Sequence, residues 1–122
     1  MASLDEKGRE FDERPWGTYV VLEDTTHDHK VKRITVEPGK RLSYQRHSRR
    51  SEHWFVLDGV ATVTLNGEVH RIAKFGSVNI PKETNHRVAN EGTEPLVLIE
   101  IQYGDYFGED DIVRLEDDFG RS

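Results

Sequence analysis

The chain has 122 residues, enough for one domain built on one core. Acidic residues outnumber basic ones, 23 to 17, and the formal charge of −6 argues against a nucleic-acid partner. Cysteine is absent, which excludes disulfides and thiolate metal sites, and no apolar run is long enough to span a bilayer.

Residues 1–13 are polar and are expected to form a flexible tail, with a folded domain over 14–122. The N-terminus lacks an apolar signal core, so the cytoplasm is the expected compartment. Arg14-Pro15-Trp16-Gly17 opens the order, and Thr18–Leu22 reads as a strand. Lys30–Val36 alternates and reads as a second strand. Lys32 shares a face with Ile34 and Val36, so it either points inward with them or snorkels to water from the strand end.

Two strands are expected within Gly39–Gly59, joined as a hairpin. Asp58-Gly59 signals a further hairpin into Val60–Leu65. Asn66-Gly67 signals another into Glu68–Ile72. Short strands follow over Ser77–Ile80, His86–Ala89 and Leu96–Gln102, the last being the most apolar. Short strands at regular spacing, separated by Gly, Asn and Pro turns, predict a β-sandwich or barrel. The acidic tail, Gly108 to Arg121, is expected to hold one helical turn, its apolar residues packing on the barrel.

Gln45 and His47 lie two apart and face one way on a strand, as do Glu52 and Trp54. A hairpin would bring Gln45, His47 and Glu52 together, and His86 would arrive from the second half of the barrel. An amide, two imidazoles and a carboxylate suit one divalent metal. Taken singly, each residue reads more simply as an ordinary hydrogen-bonded side chain. Arg41, Arg46, Arg49 and Arg50 crowd the same stretch, and a basic pocket in an acidic protein suggests a small anionic ligand. His53 alternates away from Glu52 and is read as an outward structural residue.

The spacing Gly39, Gln45, His47, Glu52, Gly59 resembles the first motif of the cupins, with glutamine where histidine is usual. Gly76, Pro81, His86 and Asn90 resemble the second motif, with Glu83 at a usual glycine position. Arg14-Pro15-Trp16-Gly17, Arg50-Ser51-Glu52-His53-Trp54, His86-Arg87 and Gly108-Glu109-Asp110-Asp111-Ile112-Val113-Arg114 narrow the match. They look like the type II mannose-6-phosphate isomerases, in which such a domain commonly follows a mannose-1-phosphate guanylyltransferase domain in enzymes of GDP-mannose biosynthesis. Ser48 and Arg49 stand where that family tends to have histidines.

The resemblance implies an all-β, single-domain cupin jelly roll, or double-stranded β-helix, ending in a short irregular or helical segment. It implies a metal held by Gln45, His47, Glu52 and His86, with zinc first and manganese, iron, cobalt or nickel admissible. It implies interconversion of mannose 6-phosphate and fructose 6-phosphate through an enediolate. Lys32 is then the expected base, and Arg50 and Arg87 match family positions for phosphate. Arg114 either folds back over the mouth or, as the favoured reading, pairs with Asp110 or Asp111. A homodimer is expected, with Trp16 at the paired sheet edge. The competing reading is a non-catalytic cupin that binds a sugar or sugar nucleotide and acts with a separate nucleotidyltransferase. An iron dioxygenase is a weaker third, because Gln45 suits oxygen chemistry less well.

Overall fold

A computed structural model describes residues 3–24, 28–108 and 110–117. The described residues form strands and turns, with no helix; none is therefore long and apolar enough to cross a membrane. In chain order the strands are β1 (Ser3–Leu4), β2 (Glu10–Arg14), β3 (Gly17–Glu23), β4 (His29–Val36), β5 (Tyr44–Arg46) and β6 (Arg50–Asp58). They continue with β7 (Ala61–Leu65), β8 (Glu68–Ile72), β9 (Ser77–Ile80), β10 (His86–Ala89), β11 (Leu96–Gly104) and β12 (Val113–Glu116).

One sheet runs β1-β2-β3-β4-β11-β6-β9 and the other β12-β5-β10-β7-β8. Their inward side chains share one core. Tyr19, Ile34, Val36, Trp54, Val56, Leu96 and Leu98 come from the first sheet, and Ala61, Val63 and Val88 from the second. Leu96, Leu98, Val36 and Val63 are fully enclosed. Each such side chain contributes roughly 1.5–3 kcal/mol by leaving water.

The Asn66-Gly67 turn is as expected. Both residues have positive φ, 47° and 86°, and β7 pairs with β8 across it. Two other expected hairpins are not hairpins. β5 lies in one sheet and β6 in the other, and β6 and β7 are likewise separated. At Gly59 the chain turns from sheet to sheet, with φ at +81°. A Cβ there would sit 3.1 Å from the Pro95 carbonyl oxygen. Turn residues mark where a chain changes direction but do not say which partner the next strand finds.

Both ends are more ordered than their polarity suggests. Within the expected flexible tail, β2 pairs with β3 from Phe11↔Val20 to Arg14↔Gly17, and Ser3–Leu4 pairs with β2. At the other end, Val113–Glu116 is a strand on β5 instead of a helical turn. Val113 and Leu115 are exposed there; Phe119 and Arg121 lie outside the described residues. Trp16 is not at an open edge. It is buried, and it lines the cavity described next.

Candidate metal centre and its cavity

Four strands carry inward rows that change character along their length. β4 runs from Val36 and Ile34 to Lys32, and β6 from Val56 and Trp54 to Glu52 and Arg50. β10 runs from Val88 to His86, and β11 from Leu96 and Leu98 to Glu100 and Gln102. All of these residues are buried. The polar ends meet around a cavity of about 110 Å³, lined among others by Lys32, Gln45, His47, Arg50, Glu52, His86, Glu100 and Arg114.

His47, Glu52 and His86 lie together, with one ligand atom from each within 4.8 Å of the others. His47 Nε2 is 3.4 Å from Glu52 Oε2, and His86 Nε2 is 3.7 Å from Glu52 Oε1. Each imidazole is turned by its other nitrogen. His47 Nδ1 donates to the Asp111 carbonyl, and His86 Nδ1 donates to the Thr84 carbonyl at 2.9 Å. A carbonyl oxygen only accepts, so Nδ1 carries a hydrogen in each ring and Nε2 is the atom turned toward Glu52. Gln45 is the direct cross-strand neighbour of His86 and lines the same cavity.

The carboxylate is held from its other side. Trp54 Nε1 donates to Glu52 Oε1 at 3.1 Å, and Arg50 Nε donates to Oε2 at 2.9 Å. Arg50 also directs NH2 to His47 Nε2 at 3.2 Å. Burial alone would raise the Glu52 pKa, but Arg50, His86 and His47 together outweigh it and lower it. Burial lowers the His47 pKa despite the Glu52 charge, so the imidazole is neutral at neutral pH. A neutral imidazole beside an ionised carboxylate is the protonation state a divalent ion requires of its ligands. The donor set therefore fits such an ion, with no sulfur and no buried lysine within it.

The predicted residues divide into two groups. Lys32 does point inward. Its Nζ lies 4.5 Å from the centre of the Tyr19 ring, and Glu100 stands directly opposite on β11. Arg50 is buried at the cluster itself. Arg114 faces the cavity, opposite Gln45 in register, instead of pairing with the neighbouring aspartates. Its buried Nε has no hydrogen-bond partner among the described residues. Asp111 accepts from the backbone N–H groups of Ser48 and Arg49 at 3.0 and 2.9 Å, and Asp110 accepts from the Tyr106 hydroxyl.

Arg87 is a correction. It follows His86 on β10, so the strand's alternation sends it to the opposite face. There it donates to the Leu42 carbonyl at 2.8 Å and to Glu116 Oε1 at 2.7 Å, and it borders a separate outer groove. It does not line the cavity that Arg14, Arg50 and Arg114 line.

Glu100 and Gln102 were not anticipated. Gln102 Nε2 donates to Glu100 Oε1, and Gln102 is fully enclosed. Burial first, and then the Glu52 charge, push the Glu100 pKa up to about 7. Parity with Leu96 and Leu98 would have placed both residues inward. Ser43 and Arg14 complete the polar wall.

Two facing antiparallel sheets with a buried polar site at one end define a cupin barrel. A Klebsiella pneumoniae protein described as having a double-stranded beta-helix domain superposes with a TM-score of 0.69 at 21% identity, covering 80% of this chain and 77% of its own. Residues 5–117 match the family described as "Mannose-6-phosphate isomerase C-terminal", and the chain belongs to that family. It is 50% identical over 109 residues to "Xanthan biosynthesis protein XanB" of Xanthomonas campestris, covering 89% of this chain and 23% of that protein. It is 49% identical over 108 residues to "Mannose-1-phosphate guanylyltransferase ManC" of Salmonella typhimurium, covering 88% of this chain and 22% of that one. The chain thus spans less than a quarter of the length of these two relatives.

Proposed function

We propose that the chain is a metal-dependent aldose–ketose isomerase domain that interconverts mannose 6-phosphate and fructose 6-phosphate. The observation that carries this reading is the buried His47–Glu52–His86 cluster at the wall of a cavity that also holds cationic and proton-transferring groups. Family membership supports it independently.

His47, Glu52 and His86 would hold the ion, with Gln45 as the fourth donor. Zinc suits this nitrogen and oxygen set, and manganese, iron, cobalt and nickel also lie within its chemistry. When bound, the ion supplies Lewis-acid stabilisation of oxyanion charge on the sugar. The chain's own residues do the rest. Arg114 approaches the cavity with a buried N–H that has no partner among the described residues, the group a phosphate oxygen would accept from. Arg50 keeps Glu52 ionised and oriented, and adds positive charge where an enediolate forms. Lys32 and Glu100 supply groups able to move protons, screened from water by Trp16, Tyr19 and Trp54.

The test is a coupled assay for fructose 6-phosphate formed from mannose 6-phosphate, with elemental analysis of the purified protein. Turnover with about one divalent ion per chain supports the reading. Sugar-phosphate binding without turnover would favour a non-catalytic cupin that serves a nucleotidyltransferase.

A further inference from the structure

We propose that Glu100 carries the proton between C1 and C2 of the sugar, with Gln102 positioning its carboxylate and Lys32 serving the sugar oxygens. This deepens the isomerase reading and rests on it.

A base for carbon-bound protons is most simply a carboxylate. Among the described residues, only Glu52 and Glu100 line the cavity with carboxyl groups. Glu52 is already committed to Arg50, Trp54 and the two imidazoles. Glu100 instead has one oxygen fixed by Gln102 and a side chain on the cavity wall.

Its placement suits a substrate held beside the metal cluster. Across the first sheet, Lys32, Glu100 and Trp54 form one row, and Gln102 and Glu52 pair in the next. Glu100 is thus one pleat repeat, roughly 7 Å, along its strand from the row of Glu52. Arg114, Gln45 and His86 form a row on the second sheet, also at the cavity. A sugar between these rows has a carboxylate at its carbons and cations at its oxygens.

Transfer of one proton between adjacent carbons needs a single base on one face, shielded so that the proton is returned before water takes it. Glu100 is only 5% exposed. Lys32 is less suited to that task than the sequence suggested. The Tyr19 ring on one side and Glu100 opposite both interact favourably with its ammonium form, which has no lone pair to accept a proton.

The step balances without a co-reactant. Glu100 takes the C2 hydrogen as a proton, and its electron pair forms C1=C2 while the C1 carbonyl pair moves onto O1. Glu100 then returns the proton to C1. Lys32 delivers a proton to O1 and takes the O2 proton in its place as C2=O2 forms, so its ammonium is restored. The sugar is neither oxidised nor reduced overall.

The test compares wild type, Glu100→Gln, Glu100→Asp and Lys32→Met, each with its metal content measured. Mannose 6-phosphate is supplied in D2O, and NMR follows both ketose formation and deuterium entering C1 or C2. Calorimetry follows binding of the same sugar phosphate. Glu100→Gln is expected to keep metal and binding while losing about 10²–10⁴-fold in turnover together with the exchange. Glu100→Asp should lower kcat with KM unchanged, and Lys32→Met should slow turnover while still exchanging faster than Glu100→Gln. Turnover or exchange in Glu100→Gln within about 10-fold of wild type overturns the assignment. If that variant does not fold, an unaltered kcat in Glu100→Asp overturns it instead. A wild-type chain that binds the sugar but neither isomerises nor exchanges it overturns the isomerase reading, and this assignment with it.

Discussion

The barrel has two ends built from the same strands. At one end, Val36, Val56, Val63, Val88, Leu96 and Leu98 are packed among apolar neighbours. At the other, Lys32, His47, Arg50, Glu52, His86, Glu100 and Gln102 are buried as well. Burying polar and charged groups is unfavourable unless each finds a partner. The apolar end therefore supplies the stability that lets the polar end keep titratable groups out of water. A substitution at one end should damage folding, and at the other chemistry.

The largest effect is expected at the cluster. His47→Ala or His86→Ala should each release the metal, since loss of a ligand exceeds the roughly 10–100-fold cost of losing an outer-shell partner. Full metal occupancy by elemental analysis in either variant would remove that histidine from the ligand set. At the apolar end, Leu98→Ala should cost about 2–5 kcal/mol in denaturant unfolding while leaving metal stoichiometry at the wild-type value. A loss of metal in the folded variant would mean that the two ends are not separable.

The polar end should also reveal itself through pH. Glu100 is held at about 7 against an ordinary 4.5, chiefly by burial, with Glu52 raising it and Lys32, Arg50 and Gln102 opposing. The folded protein then binds this proton more tightly than the unfolded chain does. Stability from this group falls as pH rises from about 4.5 to about 7 and is level above. His47 acts in the opposite sense. Its pKa is lowered, so its contribution is lost as pH falls below 6.5. Comparing metal-free wild type with metal-free Glu100→Gln cancels the His47 contribution. The variant should gain on wild type by up to about 3 kcal/mol between pH 4.5 and 7. Parallel stability curves would contradict the burial argument.

Smaller effects sharpen the contrast between the cavity and the outer face of the second sheet. Arg114→Met should raise KM for the sugar phosphate by about 10-fold, the worth of one charge-assisted hydrogen bond, while Arg87→Met leaves KM unchanged. The reverse pattern would return Arg87 to the site. The smallest effect is expected at Glu83, whose φ of 65° is left-handed, the conformation a glycine adopts freely. Glu83→Gly should stabilise by less than about 1 kcal/mol, read from the unfolding midpoint.

Much of this was legible in the residues. Alternation and turn chemistry located the strands from Gly17 to Gln102, and parity offered an inward Lys32 beside the alternative of snorkelling to water, which the structure decides in favour of the inward one. Three things were not legible, each for a physical reason. Leu96-Val97-Leu98-Ile99 is apolar on both faces, which obscured the parity that places Glu100 and Gln102 inside. The ends of the chain are polar because β2 and β12 lie near sheet edges, and edge strands lack the apolar signature of central ones. Arg87 was read as a phosphate residue from its match to a family position, although its adjacency to His86 on a strand means the opposite face.

Asp111 has a consequence for how the domain can be cut. Its carbonyl receives the His47 ring and its carboxylate receives the two following backbone N–H groups. The segment nearest the C-terminus therefore acts as a keystone for a histidine more than sixty positions upstream. Any fragment, fusion or protease-resistant core that omits residues 110–117 would keep most of the barrel yet leave that imidazole free to swing.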